Sequence, residues 1–320
     1  MNDINELIRR FATLRGVTIE PGLGGLTRVA ITTAEAEAHI YLHGAHVTHY
    51  QPRGGRDLLF LSANSVFAPG KPIRGGVPIV FPWFGPKLDD PTAPMHGFAR
   101  LTEWDLVEIR RGTDGSIAVV MELSPTSLAS KIWPHEFKLR YAVTVGATLD
   151  LSLQVQNPSA VGFSFEEALH TYLAVGDVRT AHIDGLTGRD FLDKTDMAKR
   201  KTQTPGDISI IAETDRVYLN TPDAVGVADP HWGRRLMVEK EGSNTTVLWN
   251  PWIAKAKAMA DFGDEEWPAM LCVETANAAE NAVVLPAGQN HRMRARLSAG
   301  PIDNQANRST KQWEMADQRR

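Results

Sequence analysis

The chain has 320 residues, of which 42% are hydrophobic and 22% charged, with a formal net charge of −4. That composition excludes a disordered or fibrous protein, and the lack of any Lys/Arg tract removes the electrostatic footprint of a nucleic-acid binder. Cys272 is the only cysteine, so no internal disulfide can form and a reducing compartment is expected.

At the start, Ile4, Leu7, Ile8 and Phe11 keep the spacing of one helix face, which predicts a short N-terminal helix within residues 1–18. The stretch MNDINELIRRFATLRG has no basic start followed by an apolar run, so it does not read as a secretory signal. The longest apolar stretch, Val77 to Gly85, is broken by Pro78 and Pro82 and falls far short of the roughly 20 residues that span a bilayer. A cytoplasmic chain with no membrane partner is therefore expected.

Gly22, Gly24 and Gly25 do not complete a dinucleotide fingerprint. Next comes HIYLHGAHVTHY, with His39, His43, His46 and His49. On a strand, the first, second and fourth would face one way and His46 the other, with no accompanying Cys or carboxylate cluster, so no metal is expected there. IRGGVPIVFPWFG and MHGFAR follow. Arg74 precedes two glycines that would let backbone approach a ligand, and Arg100 follows His96 in a second Gly-containing loop. Two such arginines can clamp a phosphate through forked hydrogen bonds, or can sit in ordinary surface ion pairs.

From residue 107 the pattern is that of strands. Two β-prone runs flank Thr113-Asp114-Gly115-Ser116, a hairpin signal. Tyr141, Val143 and Val145, then Leu149, Leu151, Leu153 and Val155, alternate with polar residues, as a half-buried strand requires. RRLMVEKEG, TTVLWN and AMLCVE continue the series. With 26 glycines and 19 prolines punctuating short segments, the pattern predicts an all-β fold: one large antiparallel β-sandwich domain over residues 1–320, with 304–320 a loose tail or late helix.

Within this pattern FEEALHTYLAV stands apart. Its propensities divide between helix and strand. As a strand it would place Glu166, Ala168, His170, Tyr172 and Ala174 on one face, with Phe165, Glu167 and Leu169 on the other. His170 then reads either as a buried, hydrogen-bonded histidine or as a proton carrier, since its unperturbed pKa of about 6.5 lies near working pH. Glu274 in LCVETAN is expected at the end of a buried strand, turned into solvent or placed for chemistry.

Taken in order, IRGGVPIVFPWFG, MHGFAR, FEEALHTYLAV, ETDRVYLN, VLWNPW, FGDEEW and LCVETAN resemble the landmarks of the glucose-6-phosphate 1-epimerase (hexose-6-phosphate mutarotase) branch of the aldose 1-epimerase superfamily. The resemblance runs from about residue 20 to about residue 300. It implies a β-supersandwich without metal or organic cofactor. It further implies that His170 is the catalytic acid and Glu274 the base, that Arg74 and Arg100 contact phosphate and sugar, and that Asp215 is a substrate-binding carboxylate. His96 is a further binding candidate. Where this branch commonly has a substrate-contacting glutamine, this chain has Met95, whose thioether accepts only weakly. The implied partner is a small sugar phosphate, and a monomer is the expectation for assembly. An aldose 1-epimerase acting on unphosphorylated sugars and a non-catalytic carbohydrate-binding protein are the alternatives.

Overall fold

The computed structural model describes residues 4–11 and 14–302. The helix predicted from the first apolar stripe runs over Ile4–Phe11 and buries Leu7 and Phe11, while Ile8 stays partly exposed. It is shorter than the 1–18 expected, because a strand, Val17–Pro21, has already begun before residue 18. Gly16 sets that junction. Its φ is +82°, and a Cβ there would lie 2.3 Å from the Thr32 carbonyl oxygen. The expected tail at 304–320 lies outside the described residues.

Two eight-stranded antiparallel sheets dominate the architecture. The rear sheet runs His182–Asp184, Val225–Asp229, Arg234–Glu241, Asn290–Pro301, Leu149–Gln156, Lys138–Val145, Ile117–Leu123 and Asp105–Arg111. The alternation read from the sequence explains it: Leu149, Leu151, Leu153 and Val155 are all buried, and the residues between them are not. The hairpin at Thr113–Ser116 joins the last two strands of that order in antiparallel register.

The front sheet runs Lys199–Thr202, Asp190–Asp193, Thr214–Leu219, Thr245–Asn250, Met270–Asn277, Glu167–Leu169 and Ile79–Val80, with Tyr172–Ala174 also pairing to Met270–Asn277. Its inward residues, among them Leu169, Leu248, Leu271 and Val273, share one core with the inward rows of the rear sheet. Burial of these rows is the main stabilising term of such a sandwich. A four-stranded sheet, Val17–Pro21, Thr27–Thr32, Ala36–Tyr41 and His46–Pro52, and a two-stranded pair, Phe163–Phe165 with Val283–Leu285, complete the β structure of the described residues.

The outward face of the front sheet is also apolar at its centre. Val80, Ala168, Val217, Leu219, Val247 and Ala276 form a second buried cluster, with Phe84 and Leu192 packed against it. A sheet covered on both faces, with polar residues interrupting the outer one, has a place for a ligand.

Candidate active site

FEEALHTYLAV resolves into pieces of three strands, Phe163–Phe165, Glu167–Leu169 and Tyr172–Ala174. The ladder breaks at His170 and Thr171. The His170 N–H donates to the Pro78 carbonyl, and the Thr171 N–H turns back to Leu169. Leu169 faces Thr275 and Tyr172 faces Cys272 across the neighbouring strand, so the continued register sets His170 opposite Glu274. The pair meets: His170 Nε2 lies 3.3 Å from Glu274 Oε1.

Glu274 is not at a strand end. It stands within Met270–Asn277, all eight residues of which are buried, and is itself only 1% exposed. Across the sheet it faces Val247, which faces Val217, so its carboxylate rises from the outer apolar cluster. Glu274 Oε2 and His170 Nδ1 have no hydrogen-bond partner. Burial, reinforced by the charge of Asp215, pushes the Glu274 carboxyl well above its ordinary value. Burial, then Arg100 and Arg74, push the His170 imidazole well below. At 3.3 Å the two act as one unit. Their titrations are therefore coupled, with burial disfavouring the charged form of each.

The other candidates gather around this pair. Tyr172 stacks on His170 with centroids 4.8 Å apart, and Trp249 meets both rings edge-on. Arg74 NH1 donates to the Tyr172 hydroxyl at 3.0 Å, while its Nε and NH2 donate to Asp261 Oδ2 at 3.2 and 3.0 Å. The two glycines after Arg74 serve the protein's own backbone: a Cβ on Gly75 would lie 2.5 Å from the Phe60 carbonyl oxygen, and one on Gly76 2.2 Å from that of Val47. His46 supports the same segment. It is buried and donates from Nε2 to the Gly75 carbonyl at 2.7 Å, and burial pulls its pKa down to about 3.

Arg100 sits in a 3-10 turn, Ala99–Leu101, and is buried, not on an open loop. Its NH2 donates to the Met95 carbonyl at 2.7 Å, its Nε is unpartnered, and burial lowers its pKa to about 10. Met95 thus serves this arginine through its backbone, while the residue is half exposed. The His96 ring meets His170 edge-on at 5.7 Å. Its Nδ1 accepts the Gly85 N–H at 3.1 Å, and burial holds its pKa well below the ordinary histidine value. The neutral ring therefore carries its proton on Nε2 and offers a donor there. Asp215 lies in Thr214–Leu219 opposite Trp249, and burial raises its pKa despite the charges of Lys255 and Lys194.

Asp261 and the Tyr172 hydroxyl, which fix Arg74, were not legible as its partners, because both contacts are tertiary. The run Asp264-Glu265-Glu266 reads as a solvated loop, yet the Glu266 carboxylate accepts from Ser62, Ala63 and Gly263 and ties the loop bearing Asp261 to the segment before Arg74. Trp83 meets Phe98 edge-on, and the Trp252 ring packs against Trp267. The histidine-rich stretch is dispersed as well. The His39 and His49 rings meet at a tilt with centroids 4.8 Å apart, His49 pairs with Asp57, and His43 bonds to the Lys71 carbonyl. Among the described residues, the donor set that could hold a soft cation is instead His170, Cys272 and Glu274, whose ligand atoms lie within 4.8 Å of one another.

The two-layer antiparallel sandwich thus carries a buried imidazole–carboxylate pair with arginine, histidine and aspartate side chains around it. Residues 27–298 match the family model for aldose 1-epimerase, and the chain belongs to that family. A Cenchrus ciliaris protein named "Putative glucose-6-phosphate 1-epimerase" is 38% identical over 288 residues, 87% of this chain and 86% of its own. The Escherichia coli K12 protein of the same name is 36% identical over 262 residues, covering 82% and 87%. The crystal structure of a Salmonella typhimurium "putative mutarotase (YeaD)" superposes with a TM-score of 0.81 at 29% identity, covering 92% of this chain and 99% of that one. Among the described residues no helix is long and apolar enough to cross a membrane.

Proposed function

We propose that the protein interconverts the α and β anomers of a hexose 6-phosphate, glucose 6-phosphate being the favoured substrate. The single observation that carries this reading is the buried contact of His170 Nε2 with Glu274 Oε1 at 3.3 Å. The names of the relatives at 36 and 38% identity support the substrate class.

In the reaction, the ionised Glu274 takes the proton of the C1 hydroxyl while the imidazolium of His170 donates to the ring oxygen. The C1–O5 bond breaks and the free aldehyde forms. Rotation about C1–C2 presents the other face of the carbonyl, and the reverse transfers close the ring and restore both groups. Each proton transfer contributes typically 10²–10⁴-fold. The cycle needs Glu274 ionised and His170 charged at once, and their contact sets these two opposite charges side by side.

Arg74 and Arg100 supply positive charge beside the pair, and the aromatic walls of Tyr172 and Trp249 suit the apolar faces of a pyranose. Holding the sugar by its phosphate leaves C1 free to turn between base and acid. Steady-state kinetics tests the phosphate assignment. Arg74→Ala and Arg100→Ala are expected to raise KM strongly for glucose 6-phosphate and little for glucose, whereas equal effects on both sugars would favour an aldose 1-epimerase of unphosphorylated substrates.

A further inference from the structure

Cys272, the only cysteine of the chain, has no part in the anomer exchange proposed above, yet it stands beside the groups that carry it. It lies two residues before Glu274 on the buried strand Met270–Asn277, and residues two apart on a strand point to the same face. The ladder break at His170 brings an imidazole to the same place. One ligand atom each from His170, Cys272 and Glu274 thus lie within 4.8 Å of one another, and all three residues are buried.

Two distances fit this group to a four-coordinate ion. His170 Nε2 and Glu274 Oε1 are 3.3 Å apart. A tetrahedral zinc ion, with bonds of about 2.0–2.2 Å to nitrogen and oxygen, sets two such ligand atoms about 3.4 Å apart. Three atoms within 4.8 Å of one another all come within about 2.8 Å of a common point, so shifts of under about 1 Å bring them to zinc–ligand length. Glu274 is also only 1% exposed, and its Oε2 has no hydrogen-bond partner. That oxygen can bond an ion without giving up a contact within the protein.

The donor set selects the ion. A thiolate beside an imidazole suits a thiophilic cation such as zinc, whereas magnesium and calcium take oxygen ligands. Coordination forms the metal–sulfur bond and breaks the S–H bond, the proton leaving to solvent. The thiolate and the carboxylate then balance both charges of the ion, so its burial beside Arg74 and Arg100 adds no net charge. An ion held there occupies the imidazole nitrogen and the carboxylate together, and neither can exchange a proton with a sugar.

We propose that His170, Cys272 and Glu274 form a binding site for a thiophilic divalent cation of the zinc class, and that its occupation inhibits anomer exchange. The inhibition rests on the epimerase reading above; the binding does not.

The protein is titrated with zinc and with cadmium while two signals are followed: saturation-transfer exchange of glucose 6-phosphate, and the ultraviolet cadmium–thiolate charge-transfer band. With one cysteine in the chain, that band reports Cys272 alone. The wild type is expected to lose exchange as either ion is added, to regain it with a chelator, to show the band saturating at one ion per chain, and to ignore magnesium. Cys272→Ser, measured against its own metal-free rate, should show no band and need at least about tenfold more zinc for half-inhibition. Glu274→Gln, followed by the band alone, should need at least about tenfold more cadmium, and it keeps the test open if Cys272→Ser does not fold. Exchange insensitive to zinc with no band would overturn the site, and so would inhibition that Cys272→Ser leaves unchanged, which places the ion elsewhere. A band without loss of exchange would overturn the inhibition. If the wild type exchanges no anomers but cadmium raises the band and Glu274→Gln weakens it, the epimerase reading fails and the metal site stands.

Discussion

The ring of His170 lies flat on that of Tyr172, with centroids 4.8 Å apart and 15° between the planes. Through its hydroxyl the same tyrosine accepts from Arg74 at 3.0 Å. One side chain thus orients the proposed acid and one of the proposed phosphate arginines. Tyr172→Phe keeps the stack and removes one hydrogen bond to a charged group, worth about 1.5–3 kcal/mol. KM for glucose 6-phosphate should rise about ten- to a hundredfold, with kcat close to wild type. Tyr172→Ala removes the stack as well and should lower kcat too. Steady-state kinetics of the two variants separates the roles, and a Phe variant that loses kcat alone would contradict them.

Glu274 should cost the fold stability that it returns as function. Its folded pKa is raised by burial, so the stability linked to its proton is fully present below the unfolded value of about 4.3 and is lost as pH rises through the folded value. Glu274→Gln carries none of that loss. The variant should therefore melt above wild type at pH 7, and the gap should close as pH falls toward 4.5. Scanning calorimetry across that range checks the sign, and a gap independent of pH would show that ionisation of Glu274 is not the cause.

The pair should also shape the pH dependence of catalysis. With two protons it has no base, and with none it has no acid, so kcat/KM should fall on both sides of an optimum. The two limbs belong to the pair, not to either residue. In His170→Gln the residual activity should keep the acid limb, which reports Glu274, and lose the alkaline one. A residual profile that stays bell-shaped would assign the alkaline limb to another group.

Much of this was legible in the chain. Strict alternation at Leu149, Leu151, Leu153 and Val155 yields a strand buried on one face, because period two admits no other regular structure. TTVLWN coincides with the strand Thr245–Asn250. FEEALHTYLAV was ambiguous because Glu-Glu-Ala-Leu favours helix, and the ambiguity marks a real irregularity: at His170 and Thr171 the backbone leaves the ladder and bonds to Pro78 and Leu169. The proposed acid sits at that break, where a local rule fails at the site, as is common where function constrains a chain.

Glu274 was misplaced for a related reason. A carboxylate in a strand reads as a strand end, since buried carboxylates are rare without a partner, and its partner lies on a segment about a hundred residues earlier. Asp261 beside Arg74 and Glu266 beside Ser62 were hidden in the same way. Such pairings between distant loops leave no local period, and only the closed sandwich brings them together. The glycines of IRGG illustrate the opposite error: they were read as room for a ligand, but they admit the carbonyls of Phe60 and Val47.

The central claim is that His170 and Glu274 together open and close the sugar ring. Saturation-transfer NMR on glucose 6-phosphate measures it most directly, by comparing anomer exchange in wild type, His170→Ala and Glu274→Gln against buffer alone. The account predicts exchange far above background in the wild type and a loss of at least about 10²-fold in each variant, with the variants still folded. Exchange at the buffer rate in the wild type, or undiminished exchange in either variant, would contradict it.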